Sequence, residues 1–358
     1  LVTYFAAAFY LKQSSHQNSH LTHMKVEPHR QFNGRSLQAL VMLLACGLSA
    51  CSSAEQTKKQ ISIDGGTVGY PLHQAVAEEY KKVKSDAQIS VAFSGTGGGM
   101  SKFCNGQIDI AGASRAIKKE EIEKCKKKGI DFVELPVALD GIAVITNKKN
   151  TFVTCLSIPQ LNKVWSPKSN NKVKNWNQID EKFPNQKLTL YAPSSDTGTF
   201  DYFTQAVNKK SKSSRTDYTS TQNQNVLVQG IAGDESAFGY VGISYYLAKK
   251  DQLQLIAVQT PKGNCETPDP PSKIATNTYT PLSRPLFIYV SKPSLDKKPV
   301  VKEFVDFYLD NSKKWVEQAG YVELTDDAYA KTKQKFDAGV TGSKFKDAKP
   351  GQPITKYL

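Results

Sequence analysis

Glycine-flanked hydroxyl residues recur in three loops, Asp64-Gly65-Gly66-Thr67, Ser94-Gly95-Thr96-Gly97-Gly98-Gly99 and Ser195-Asp196-Thr197-Gly198-Thr199-Phe200. Glycine leaves backbone N–H groups uncovered, and threonine and serine add hydroxyl donors beside them. At least two of the loops run into a helical pattern, whose positive dipole end favours an anion. A fourth segment, Asp109-Ile110-Ala111-Gly112-Ala113-Ser114-Arg115, ends a short strand in a hydroxyl and a guanidinium, whose planar donors match a tetrahedral oxyanion. Converging loops of this kind describe an oxyanion cage that needs neither metal nor cofactor.

Other chemistries lack their parts. The Gly95–Gly99 loop has no Gly-Lys-Ser/Thr, so it is no P-loop, and Met100 stands where a dinucleotide fingerprint requires glycine. After Cys51 the sole histidine is His73, within an amphipathic helical pattern, which leaves a Ser-His-Asp arrangement one misplaced base. Gly-x-Ser-x-Gly and His-Glu-x-x-His are absent, and no Cys-x-x-Cys spacing suggests zinc. Each loop also has a plainer reading. Thr197 is a good helix cap, the glycines suit a tight turn, and an arginine after a strand commonly makes a surface ion pair.

The elements that must position these loops follow from periodicity. Ile61-Ser62-Ile63 reads as a strand and Pro71–Val83 as a helix, with Leu72, Val76, Tyr80 and Val83 at helical spacing. Strands are expected at Ile89–Phe93, Ile108–Ala111, Phe132–Val137 and Ile142–Thr146, and helices at Gly97–Asn105 and Lys118–Lys128. The alternation restarts near Thr151. Leu188–Tyr191 enters the Asp196–Thr199 turn before a helix at Phe200–Val207, then follow Asn225–Ile231 (helix), Ala237–Tyr240 (strand), Gly242–Lys249 (helix), Leu253–Val258 and Leu286–Val290 (strands). Val300 to about Ala338 is mostly helical. This pattern predicts an α/β protein with mainly parallel sheets, and 358 residues suit two domains.

A formal charge of +14, with 39% hydrophobic and 22% charged residues, describes a globular protein suited to an anionic partner. The lysine runs lack interleaved aromatics, so nucleic acid is not expected. Before the fold, Met24, Lys25, Arg30 and Arg35 precede the apolar run 37–50, and Leu48-Ser49-Ala50-Cys51 resembles a bacterial lipobox. Residues 1–50 are therefore assigned to an upstream extension and signal, Cys51 to lipidation, and 51–60 to a tether. An exported chain places Cys104, Cys125, Cys155 and Cys265 in an oxidising compartment. Of three pairings, Cys104–Cys125 and Cys155–Cys265 is favoured because each bond stays within one proposed domain.

The chain resembles the phosphate-binding component of the bacterial high-affinity phosphate ABC transporter, most nearly its cyanobacterial-type branch. The resemblance covers essentially residues 61–290. It rests on Ser94–Gly99, Ala113-Ser114-Arg115, Glu134–Gly141, Asp196–Phe203, Leu227-Val228-Gln229-Gly230 and Pro281–Val290. It implies a type II periplasmic binding fold, two α/β lobes joined by two crossover strands near Ile142–Asn147 and Tyr279–Val290. Lobe I would comprise 61–146 and 286–358, and lobe II 147–285.

Carried over by motif, the phosphate ligands would be Thr67, Val68, Thr96, Ser114, Arg115, Thr197, Gly198 and Thr199, and Ser94 joins them as a hydroxyl of its own loop. Asp140 and Asp196 are the candidates to accept the phosphate proton. Two departures stand out. Gly66-Thr67-Val68-Gly69 replaces the usual Ser-Ser-Thr-Val, and Arg115 and Pro193 stand where the enteric branch has aspartate and arginine. The resemblance further implies a non-enzymatic lipoprotein of the periplasm or cell envelope that delivers phosphate to ABC permease subunits and touches the membrane only through its anchor. A phosphoester hydrolase on the same fold, and an envelope scaffold or adhesin with a vestigial cleft, are the alternatives.

Overall fold

The computed structural model describes residues 59–358. The signal, Cys51 and most of the expected tether lie outside them. Strand β1 (Gln60–Gly65) pairs in parallel with β2 (Gln88–Val91) on one side and β3 (Ile110–Ala113) on the other. Helices α1 (Tyr70–Val83) and α2 (Gly95–Cys104) return the chain between these strands, and α3 (Lys119–Lys127) leads on to β4 (Phe132–Asn147). The next strand of this sheet is the last in sequence, β11 (Ser283–Ser291), antiparallel to both β3 and β4.

Sidedness follows from the two-residue period of a strand. Leu286, Ile288 and Val290 of β11 join α1 and the C-terminal helices in one core, while Phe287 and Tyr289 join α2 and α3 in another. Both faces are covered, so β4 and β11 read as mostly apolar runs, interrupted by the buried Glu134, Asp140 and Arg284.

The two strands expected at 132–137 and 142–146 are one. Through Gly141, β4 pairs with β11; from Ile142 it pairs with β8 (Ala237–Gly242), and from Val144 also with β9 (Leu253–Gln259). Pro136, which has no N–H to give, sits at a bulge: it pairs with Phe287 and Ala138 with Leu286, leaving Val137 as the extra residue. The chain returns beside this crossing, where Ile142 N donates to Leu282 O at 2.9 Å and Tyr279 Oη to Ile142 O at 2.7 Å.

The second sheet continues from β8 to β6 (Thr189–Pro193) and β7 (Thr219–Thr221), with β5 (Cys155–Leu156) and β10 (Cys265–Glu266) on β9. Around it lie α4 (Ile158–Trp165), α5 (Gly198–Asn208), α6 (Gln224–Gly233), α7 (Ile243–Leu247) and α8 (Ser272–Ala275). A short α9 (Lys292–Lys297) follows β11. The C-terminal helical stretch then divides into α10 (Pro299–Asp310), α11 (Ser312–Gln318) and α12 (Asp326–Asp337). Disulfides join Cys104 to Cys125, tying α2 to α3, and Cys155 to Cys265, tying β5 to β10. Among the described residues no helix is long and apolar enough to cross a membrane.

Candidate functional site

Two helix N-termini, one from each half of the molecule, meet across the cleft. In the first lobe, β1, β2 and β3 all run toward it, so the loops at Gly66, Ser94 and Ser114 share one end of the sheet. Gly95 opens α2 at φ +75°, and a Cβ there would sit 2.5 Å from the Asp196 carbonyl oxygen of the other lobe. Only glycine fits. Gly97 N donates to that same carbonyl at 3.3 Å.

From the second lobe, Thr197 caps α5. Its hydroxyl accepts from Phe200 N at 3.2 Å and donates to Ser194 O at 2.8 Å. The Gly198 and Thr199 amides, in the first helical turn, have no intrahelical acceptor.

The hydroxyls form a buried ring. A Cβ on Gly198 would fall 2.4 Å from both Ser114 Oγ and Thr96 Oγ1, so those groups of the first lobe lie directly against the α5 N-terminus. Thr96 Oγ1 accepts from Ser114 N at 3.3 Å. Thr67, Thr96, Ser114, Thr197 and Thr199 are all buried. The loop carrying Thr67 and Val68 is held through its carbonyls: Tyr245 Oη of α7 donates to Thr67 O at 3.0 Å, and Tyr321 Oη donates to Val68 O.

The charge facing this ring belongs to Arg284. Its Nη2 donates to Thr199 Oγ1 at 2.9 Å and to Asp140 Oδ2 at 2.7 Å, and its Nε donates to the same Oδ2 at 2.9 Å. Arg284 Nη1 and Asp140 Oδ1 are both buried without a partner among the described residues. Buried polar atoms are rarely left so. One donor and one acceptor of this ion pair are thus without a side-chain partner, while the backbone N–H groups of Ile243 and Gly141 also favour the charged carboxylate. Burial pushes the Asp140 carboxyl upward, and the adjacent guanidinium pulls it back. A Cβ on Gly242 would lie 3.6 Å from both Asp140 oxygens and 3.5 Å from Val68 Cγ1, which closes the ring on the first loop.

Other residues singled out from sequence are engaged elsewhere. Arg115 donates through Nε to Asp201 at 2.7 Å, through Nη1 to Glu121 at 2.8 Å and to Ala116 O at 3.0 Å, and through Nη2 to Glu121 at 2.7 Å. That leaves one of its five N–H groups. Burial opposes its charge, but Glu121 and Asp201 outweigh that and raise the guanidinium further. Arg115 thus bridges first-lobe Glu121 to second-lobe Asp201. Ser94 donates its hydroxyl to Asp64 at 3.0 Å. Asp196 accepts from Ser194 Oγ at 2.5 Å and from Gln222 Nε2, so both of its oxygens are engaged on the rim.

Sequence reasoning missed Arg284. It lies within the Pro281–Val290 segment that carried the family resemblance, and an arginine in an otherwise apolar buried strand was the available signal.

Among the described residues no group of three or more His, Cys, Asp or Glu is placed to hold a metal. A cavity of about 350 Å³ exists elsewhere, lined by residues such as Pro136, Lys335, Phe345 and Tyr357, and it shares no residue with the hydroxyl ring.

Residues 52–312 match the model of the PBP superfamily domain. The chain is 41% identical over 305 residues to Protein SphX of Synechococcus elongatus, covering 85% of this chain and 89% of that protein. It is 36% identical over 304 residues to the Phosphate-binding protein PstS of Staphylococcus aureus, covering 84% and 89%. Among solved structures, a possible phosphate binding protein from Planctomyces limnophilus superposes with a TM-score of 0.60 at 40% identity, covering 78% of this chain and 98% of that one. A putative phosphate ABC transporter substrate-binding protein with bound phosphate from Clostridium perfringens superposes at 0.61 with 26% identity, covering 74% and 100%. With its two α/β lobes and crossing strands, the chain belongs to the PBP superfamily, in the family of SphX and the PstS phosphate-binding proteins.

Proposed function

We propose that the protein captures inorganic phosphate between its lobes and hands it to an ABC permease, without chemistry on the ligand. The observation that carries this reading is the pair of orphaned atoms, Arg284 Nη1 and Asp140 Oδ1, beside the ring of Thr67, Thr96, Ser114, Thr197 and Thr199. Phosphate at neutral pH offers what that pair lacks: oxygens to accept from the guanidinium and a proton to give to the carboxylate. The helix amides and hydroxyls supply further donors. Val68, Gly198 and Thr199 would contribute through their backbones, and Ser94, Arg115 and Asp196 would support the loops. The names of the PstS relatives agree with this ligand.

The binding reading is favoured over hydrolysis because His73 is buried against Tyr308, with Nδ1 3.1 Å from Tyr308 Oη, and meets no nucleophile of the ring. Calorimetry on phosphate-stripped protein should give saturable heat with phosphate, and a chromogenic phosphate ester should not be turned over. No heat at millimolar phosphate would reject the proposal. Lipidation at Cys51 and residence in the periplasm or envelope complete it. Cys51→Ser should release the protein from membranes in soluble form.

A further inference from the structure

The segment after α12 is anchored twice in the first lobe and touches the second lobe between those anchors. The first anchor is the buried Glu134 of β4. Its carboxylate accepts from Ser343 Oγ, from Lys344 N at 3.0 Å and from Phe345 N at 3.3 Å. The Phe345 ring lies 5.0 Å from that of Phe287, in the core shared with α2 and α3. The second anchor is Ile354, buried in the same core, with Tyr357 packed against it.

Between the anchors the chain turns at Gly351. Its φ is +81°, and a Cβ there would lie 3.1 Å from Pro281 Cα, so the close approach to the chain entering β11 requires glycine. Gly351 N donates to Tyr202 Oη at 3.0 Å, and Gly351 O accepts from Asn277 Nδ2 at 3.1 Å. Tyr202 is on α5 and Asn277 follows α8, so both partners come from the second lobe.

Tyr202 leads from this turn to the cleft. Its hydroxyl accepts from Gly351 and gives its own proton to the carbonyl of Ser283, the residue before Arg284. Its ring lies beneath the guanidinium, with Arg284 Cζ 5.9 Å from the ring centroid, within cation–π range. Thr199 and Tyr202 are three residues apart on α5 and share a face of that helix, and Arg284 Nη2 donates to Thr199 on it. Asp140 and Thr199 hold Nε and Nη2, while Nη1 has no side-chain partner among the described residues. The ring adds a further constraint on where Nη1 points. Any apolar side chain at position 202 would serve packing; a hydroxyl joining the Ser283 carbonyl to the Gly351 amide also fixes where the ring sits.

We propose that Tyr202 is a positioning residue for the guanidinium of Arg284, and that the turn at Gly351, by holding the Tyr202 hydroxyl, sets the ring's place beneath it. The inference rests on the reading of Arg284 as a phosphate contact.

The test uses the full chain and reads Arg284 directly. In isotope-labelled, phosphate-free protein, the exchange of the Arg284 Nε–H with water is followed by NMR, its signal identified by its loss in Arg284→Lys. Tyr202→Leu, which removes ring and hydroxyl, should speed that exchange by about tenfold. Tyr202→Phe keeps the ring and frees the Gly351 amide, and should speed it by about threefold. Tyr218→Leu removes a half-buried second-lobe aromatic that packs on Trp165, and should change nothing. Calorimetry should show the phosphate Kd rising in the same order, by about tenfold in Tyr202→Leu and about threefold in Tyr202→Phe. Tyr202→Phe preserves the packing, so a Tyr202→Leu chain that fails to fold leaves the question answerable. An unchanged exchange rate in the Tyr202 variants, an equal rise in Tyr218→Leu, or faster exchange with wild-type phosphate affinity overturns the proposal. Wild-type protein that gives no heat with phosphate rejects the phosphate reading instead, and the exchange rates then still decide whether Tyr202 positions Arg284.

Discussion

Arg284 and Asp140 are direct cross-strand partners on β11 and β4, and they meet through a single carboxylate oxygen. A guanidinium and a carboxylate free to choose would form two parallel bonds, one to each oxygen. Here Nε and Nη2 both converge on Oδ2, and Oδ1 and Nη1 have no side-chain partner among the described residues. The pair stands where β4 leaves one sheet for the other, so both lobes frame it.

Selectivity against sulfate should rest on Oδ1. Sulfate has no proton at neutral pH and would meet the carboxylate lone pair to lone pair. An unsatisfied buried acceptor costs about 1–3 kcal/mol, more when charged, which is tenfold or greater discrimination. Asp140→Asn turns the acceptor into an amide that can present N–H. Sulfate should then compete, the phosphate-to-sulfate affinity ratio falling at least about tenfold while phosphate binding weakens modestly. Competition calorimetry measures this; an unchanged ratio would remove Asp140 from the role, with Asp196→Asn as the comparison.

Acid should destabilise the fold through His73. Burial lowers its pKa from 6.5 to about 4, and its Nε2 has no partner among the described residues. The unfolded chain therefore binds a proton that the folded chain refuses. Stability is unaffected by this group above pH 6.5 and falls as pH drops from there toward 4, by about 3 kcal/mol in total. His73→Gln should flatten that part of the urea-unfolding profile between pH 7 and 4.5. An identical slope in the variant would show that other groups set the acid limit.

Much of the proposed site could be expected from sequence because anion-binding chemistry is local. A strand, a glycine turn, a hydroxyl and a helix start lie within ten residues of one another, so the loops at Thr67, Thr96, Ser114 and Thr197 could be read one at a time. Arg284 could not be read that way. Its meaning depends on Asp140, and their 144-residue separation closes only when β11 pairs with β4. Arg115 shows the opposite limit: its local setting suggests a ligand contact, and the long-range partner Asp201, on α5, which takes its Nε, could not be read locally. The continuous β4 was hidden because Asp140-Gly141 looks like a turn, whereas a change of sheet absorbs it.

Gly198 should tolerate no side chain. A Cβ there would approach Thr96 Oγ1 and Ser114 Oγ to 2.4 Å, and both belong to the other lobe. Gly198→Ala should leave the unliganded fold intact by circular dichroism but weaken phosphate binding by about a hundredfold or more, since closure would drive the methyl into those two hydroxyls. Gly233→Ala, at the end of α6 with nothing within 4 Å, is the control and should bind normally. Normal phosphate affinity in Gly198→Ala would mean that the two helix starts do not come together around the ligand.

The Arg115–Asp201 contact should set how firmly the lobes close. Asp201 is buried on α5, and its charged partners, Arg115 at 2.7 Å and Lys118 at 3.2 Å, both come from the first lobe; within its own lobe it accepts only from Ser211 Oγ at 3.0 Å among side chains. Arg115 keeps Glu121 when the lobes part, so its charge is never stranded. Asp201 would lose both cations on opening and gain water instead. A hydrogen bond to a charged group contributes about 1.5–3 kcal/mol, and here it would act only in the closed state. Asp201→Asn should therefore raise the phosphate Kd by roughly ten- to a hundredfold without altering the phosphate-to-sulfate ratio. Asp140→Asn should do the reverse, moving the ratio more than the affinity. If Asp201→Asn shifts selectivity, or leaves Kd untouched, the ion pair is not a closure contact.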